Sequence, residues 1–342
     1  MLKKSQSTIY FEGLESGQIE SYRNFRDQII DIGFDEIKNK KKSKLVVLQR
    51  STEFFNISKN LINFIKLKDN PNCNFILPYS WCNILNLSFK NKIISHILFC
   101  FYVTIISYKR ILKSVYVIIF KTNIPYNFDV KQSVYLFNTP IEAIKDCNKE
   151  NNYCLTNWLN KNIFKKNKFY IHSNQSLIHS NLSDCKYLPS FLPPLSLICK
   201  IKVLVSFLPH FFLATIKLTL GSWKKLYMLD DFLNEIYFKK CDPSYFIKSY
   251  IFPYIGTQYR PSWTNEVIKN NSLIYMLNYS SSSVPNLDGK SHDNLLFRIS
   301  SWPIIIPFNK SFVNTIKQNL FFPSKILNNS TVFFTDEEND IK

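Results

Sequence analysis

Residues 260–283 read RPSWTNEVIKNNSLIYMLNYSSSS. Pro261 and Ser262 can open a helix: the fixed φ of proline suits a first turn, and a serine hydroxyl can cap free N–H groups. Glu266 then falls in the first turn, and Asn270-Asn271 can close the helix because asparagine tolerates the left-handed conformation. Leu273 to Leu277 (LIYML) reads as a short strand of large apolar residues. The hydroxyl-rich run Asn278-Tyr279-Ser280-Ser281-Ser282-Ser283 follows at its carboxyl end. In layered α/β sheets ligands collect beyond the carboxyl ends of strands. Such a run can offer hydroxyls and backbone N–H groups to a sugar or phosphate, and a plain serine-rich turn is the rival reading.

Working outward, further short apolar runs extend the same pattern. Leu45 to Leu48, Phe75 to Leu77, Val115 to Phe120 (VYVIIF) and Tyr135 to Phe137 (YLF) read as strands. They alternate with helical stretches, which argues for α/β layering. Residues 1–44 read as polar and helical. The expected organisation is an N-terminal α/β domain over 1–148 and an irregular insert or linker over 149–195. A helical segment leading into an α/β unit follows over 196–334, then an acidic tail over 335–342.

Two stretches approach membrane-spanning character. Ile93 to Tyr108 is apolar but short and contains His96. Val203 to Ile216 is interrupted by Pro209-His210 and flanked by Lys202 and Lys217. A spanning helix needs about 20 apolar residues. Buried core helices are one reading, and lysine-flanked helices resting on a membrane face are the other. After them, Trp223, Leu226, Tyr227, Leu233, Ile236 and Tyr237 recur at helical spacing as one buried face. Asp230-Asp231 reads as a pair of surface charges.

Composition narrows the classes of function. Hydrophobic residues make up 46% of the 342, too many for a chain that stays disordered. The net charge is +18, yet only six of the 43 basic residues are arginine, the residue that reads bases and phosphates in bidentate fashion. This argues against nucleic acid and toward an anionic surface or a sugar-nucleotide. None of the eight cysteines forms a C-x-x-C pair, so the sequence holds no zinc ribbon, and reduced thiols in a cytoplasmic protein are expected. With six glycines, no two spaced as in a phosphate-binding loop or dinucleotide fingerprint, phosphate cradling by glycine is excluded. No D-x-D pair is present either, and no metal site is expected.

The stretch 250–312 resembles the central block of the PFTS-motif surface-polysaccharide biosynthesis proteins. Arg260-Pro261-Ser262-Trp263-Thr264-Asn265-Glu266 is similar to the family's R-P-L-W-T-Y-E. Tyr279-Ser280-Ser281-Ser282 is similar to its Y-S-T-N loop, and Trp302-Pro303 to a later Trp-Pro. Gly221-Ser222-Trp223 and Asn157-Trp158-Leu159 extend the similarity over roughly 130–320. Asn265 stands where the family has tyrosine, and the PFTS stretch itself is not found.

The resemblance implies a glycosyltransferase-like protein of lipopolysaccharide, O-antigen or capsule assembly. It implies Rossmann-like layers in a metal-independent, glycosyltransferase-B-like architecture whose second domain is incomplete. Glu266 would be the catalytic base, with Arg260, Tyr279, Ser280, Ser281, Ser282 and Lys310 binding the ligand. No cofactor is expected beyond a nucleotide-sugar donor, and the acceptor would be a glycan or a lipid-linked glycan. The expected location is the cytoplasm or the inner face of the cytoplasmic membrane. A truncated, non-catalytic chain that binds a membrane surface or a partner protein is the alternative. Trp263 and Trp302 read as core residues ahead of sugar platforms.

Overall fold

The structure is a computed structural model that describes residues 76–121, 130–137, 155–164, 168–172, 185–188, 190–219, 223–253, 260–277, 301–307 and 325–326, with single positions at 24, 28 and 313. It divides into two compact units: residues 1–113 with 207–231, and residues 114–206 with 232–342. The expected strand Leu45–Leu48 and the polar helix over 1–44 fall outside the described residues, apart from Asn24 and Gln28, which are helical.

The second unit is built on a sheet of seven strands, all parallel. They are β1 (Ser133–Phe137), β2 (Lys168–His172), β3 (Cys185–Tyr187), β4 (Ser249–Pro253), β5 (Leu273–Leu277), β6 (Ile304–Ile306) and the two-residue β7 (Lys325–Ile326). Their spatial order is β3-β2-β1-β4-β5-β6-β7. The chain therefore lays down three strands in one direction, returns, and builds the other four from the opposite side of β1. This is an α/β fold, as expected. Strands β2 and β3 lie within the stretch read as an irregular insert, and the sheet draws strands from both sides of it.

A parallel sheet needs both faces covered, and the centres of β1, β2, β4, β5 and β6 are apolar and buried for that reason. On one face Val134, Leu136, Phe169, Ile171, Ile251, Tyr275, Leu277, Ile304 and Ile306 form a core with Leu155, Trp158 and Leu159 of the short helix α3 (Leu155–Leu159). On the other face aromatic rings dominate. Tyr135 lies 5.6 Å from Tyr250, and Phe137 lies 4.9 Å from Phe252. Trp263 covers them, stacked 4.4 Å from Phe238 of helix α6 (Leu229–Lys240) and edge-on to Tyr250 at 5.7 Å. Trp263 and Trp302 are buried, so both belong to the core.

Helix α7 (Thr264–Lys269) leads into β5, as the opening stretch predicted, but it begins differently. Ser262 is not its cap. The N–H groups of Thr264, Asn265 and Glu266 donate to the carbonyls of Pro261, Ser262 and Trp263, a tight turn that satisfies them without any side chain. The far end follows expectation: Asn271 has φ 65°, and the Ser272 N–H returns to the Val267 carbonyl.

The first unit contains α1 (Tyr79–Ile84), the first 25 residues of α2 (Phe89–Phe120), the second half of α4 (Leu197–Thr219), and α5 (Trp223–Tyr227). Trp223 is its centre, with Trp81 and Phe99 edge-on to the ring at 6.5 and 5.0 Å. The Arg110 guanidinium lies 4.7 Å over the Tyr227 ring, a cation–π contact.

Four local expectations are corrected here. Val115–Phe120 is not a strand: it forms the last turns of α2, because no glycine or proline interrupts the chain from Phe89 onward and propagation costs less than a new start. Ile76 and Leu77 are likewise outside any strand, and Leu77 supplies the carbonyl that the Cys82 thiol approaches. Pro209 does not end its segment, since α4 runs through it. Asp231 is buried where a surface charge was expected. Helix α2, one of the two stretches left open between core and membrane surface, is covered on one side only: it buries Ser95, Phe99, Val103, Ser107 and Ile111 at four-residue spacing while exposing Ile93, Ile97, Phe101 and Ile105 on the opposite side.

Candidate functional site

The reversal of strand order between β1 and β4 is where an open α/β sheet leaves room for a ligand, because the connections leaving the two neighbouring strands turn to opposite faces. The carboxyl ends that meet there are known from the register. Leu136 pairs with Ile251 across β1 and β4, and Phe137 pairs with His172 across β1 and β2. Phe137 and His172 are both half-buried, and both close their strands. Their rings lie 5.4 Å apart, and Phe191 approaches Phe137 at 5.5 Å and His172 at 6.1 Å. The Nδ1 atom of His172 is out of solvent. The described part of this edge is therefore an aromatic wall with one imidazole in it. Aromatic faces of this kind stack planar or sugar ligands, and an imidazole can donate to an oxyanion or move a proton.

His172 escaped the sequence reading. Its signal was the run Lys168 to His172 (KFYIH), apolar at its centre but only five residues long and set among asparagines, lysines and serines. Among the described residues no group of three or more His, Cys, Asp or Glu side chains could hold a metal ion.

The predicted site residues divide into two sets. Tyr279, Ser280, Ser281, Ser282 and Lys310 lie outside the described residues. Arg260 and Glu266 are described, and both are engaged close to home. One Arg260 nitrogen donates to Thr264 Oγ1 at 2.7 Å and another to Asn265 Oδ1 at 2.8 Å. Thr264 Oγ1 in turn donates to the Pro261 carbonyl at 2.6 Å. The guanidinium thus ties the tight turn to the first residues of α7. Both acceptors are neutral oxygens, so these two bonds fix the fork without themselves neutralising its charge.

Glu266 pairs with Lys269 one turn later, at 2.8 Å, with the lysine largely exposed and the carboxylate mostly covered. The hydrogen bond that the Lys269 ammonium donates to that carboxylate, and then the carboxylate's charge, hold the ammonium above its ordinary value. Glu266 also sits in the first turn, where a negative charge favours the helix. The arrangement accounts for the R-P-S-W-T-N-E stretch in structural terms: Trp263 is core, Thr264 and Asn265 anchor Arg260, and Glu266 is held on the flank of α7.

No family model, no curated protein and no solved structure matches the chain. The strand order and the residues at the carboxyl edge are the ground for a functional reading.

Proposed function

We propose that this chain is a glycosyltransferase-like protein of surface-carbohydrate assembly that binds a nucleotide-sugar at the carboxyl edge of its sheet, between β1 and β4. The observation that supports this is the order β3-β2-β1-β4-β5-β6-β7 in a wholly parallel sheet. That is the doubly wound, Rossmann-like order whose switch point takes nucleotides. In this reading the Phe137 ring stacks on the base or sugar and His172 meets the diphosphate. Tyr279, Ser280, Ser281, Ser282 and Lys310, which follow β5 and β6 in the sequence, are the ligand-binding residues in this reading. Glu266 takes the proton of the acceptor hydroxyl, and Arg260 holds the entry to α7. The glycosyltransferase-B-like architecture, a glycan or lipid-linked acceptor and a place on the cytoplasmic side belong to the same proposal.

The test is isothermal titration of the full chain with uridine and guanosine diphosphates, and with their sugar conjugates. Saturable binding is expected, weakened on the order of tenfold by His172→Gln through loss of one charge-assisted hydrogen bond. The absence of saturable binding by any nucleoside diphosphate would sink the reading.

A second reading, a non-catalytic chain, is favoured by one observation: Arg260 and Glu266 both make polar contacts to α7 and its approach. Nucleotide binding with no sugar transfer to any lipid-linked or glycan acceptor, and with no effect of Glu266→Gln, is its expected outcome.

A further inference from the structure

Helix α4 presents an apolar stripe to solvent along its whole length. Leu197, Ile201, Val205, Leu208, Phe212 and Ile216 recur every three or four residues, and each is about half exposed or more. Only 22% of the apolar window Leu197–Leu218 is buried, so this is not the core helix of a soluble protein. By length and composition the helix could cross a bilayer, but its periodicity argues for lying along one. The side opposite the stripe is covered by protein at Lys200, Val203, Phe207 and Ala214. Between the two sides runs an exposed polar edge of Lys202, Ser206 and His210. A helix standing across the membrane would carry His210 near the hydrocarbon centre, at a cost that a helix lying in the headgroup layer avoids.

The charge around α4 selects the surface. No aspartate or glutamate occurs from residue 185 to 229, while Lys202, Lys217, Lys224 and Lys225 do, in a chain of net charge +18. Lys217, Lys224 and Lys225 follow one another closely in the chain at and just beyond the carboxyl end of α4, with Lys225 exposed and the other two half-buried. Basic groups gathered with no carboxylate among them attract an anionic surface. A second copy of the chain would bring lysines against lysines, so the apolar stripe is poorly suited to self-association.

We propose that the outward face of α4 docks on an anionic lipid bilayer, its apolar stripe in the interfacial layer and Lys217 with Lys225 holding a lipid phosphate. This goes beyond the carbohydrate reading and stands without it. The full chain, without nucleotide, is floated with vesicles of phosphatidylcholine alone and of phosphatidylcholine with phosphatidylglycerol. Binding to the anionic vesicles is expected, released by alkaline carbonate. Val205→Asp with Phe212→Asp, both at exposed positions, abolishes it. Lys217→Gln and Lys225→Gln each weaken it roughly fivefold on anionic vesicles and leave the melting temperature unchanged. Four results overturn the proposal. One is equal binding to neutral vesicles, and another is retention in the bilayer through carbonate, which marks a spanning helix. A third is a dimer, without vesicle binding, that Val205→Asp with Phe212→Asp disperses. The last is stabilisation by inorganic phosphate with no vesicle binding, which marks a free-anion site.

Discussion

At Trp263 four aromatic rings converge: Phe238 and Phe191 stack on it at 4.4 and 5.5 Å, while Tyr250 and Phe252 approach at 5.7 and 5.9 Å. The indole joins α6, the approach to α7, and β4. Trp263→Ala should therefore cost about 3–5 kcal/mol, the usual toll of deleting a buried large aromatic. Urea denaturation followed through circular dichroism measures it, and a loss below about 1 kcal/mol would contradict the packing described. His96 offers a second test. Its Nδ1 accepts from the Tyr79 N–H at 3.3 Å, and burial holds the imidazole below its ordinary value. A folded pKa below the unfolded one means the unfolded chain binds the proton first as pH falls. Stability is thus full above about pH 6.5 and declines as the pH drops through the lowered folded value. His96→Gln removes that part of the acid-side fall in melting temperature, and an unchanged acid limb would show that the imidazole does not titrate as described. Thiol labelling checks burial independently. Burial pushes Cys82 up to about 11 and raises Cys241 as well. Both should resist iodoacetamide near neutral pH in the folded chain and react after unfolding, as peptide mass spectrometry would reveal.

Elements were legible where local chemistry dictated them. The exit from α7 is such a place: Asn271 takes φ 65°, a conformation asparagine tolerates and β-branched residues resist. Asn271→Gly should leave stability nearly unchanged, whereas Asn271→Val should cost on the order of 1–2 kcal/mol, and thermal denaturation of the pair separates them. The entry to α7 was less legible, since the tight turn satisfies the N–H groups through backbone carbonyls, a choice that Ser262 does not announce. VYVIIF misled for a related reason: its composition suits a strand, yet the thirty-two-residue α2 absorbs it as a continuing helix. Helix α4 shows propensity overridden in the other direction. Pro209 removes a backbone N–H donor, but it sits on the exposed side and the helix persists. Pro209→Ala should raise stability by up to about 3 kcal/mol if the proline serves no other purpose, and calorimetry of the full chain reads the change.

At the scale of the molecule, the α/β class could be read from short apolar runs, but the strand order could not. Tyr135–Phe137, within β1, was visible as a strand because the apolar YLF stops at Asn138-Thr139-Pro140 in the sequence. Its partner β2 was hidden because a strand buried on both faces by tertiary packing carries no alternating pattern, and β3, beyond β2, because three residues are too few to stand out. The candidate site suffered for the same cause. Arg260 and Glu266 were visible as residues, while the Phe137–His172 wall exists only once β1 and β2 are paired in register.

That pairing has a consequence during synthesis. Strand β1 gains β2 soon after it is made, but its other edge must wait for β4, about 110 residues later in the chain. At roughly 5–20 residues per second, the ribosome leaves that edge open for on the order of 6–20 seconds. A nascent chain stalled before residue 249 should crosslink to a holding chaperone through β1, and one stalled after β5 has left the exit tunnel should not. An apolar strand open on one side for so long is a template for the wrong neighbour, so the yield of this fold in a cell rests on what shields Val134 to Leu136 until Tyr250 arrives.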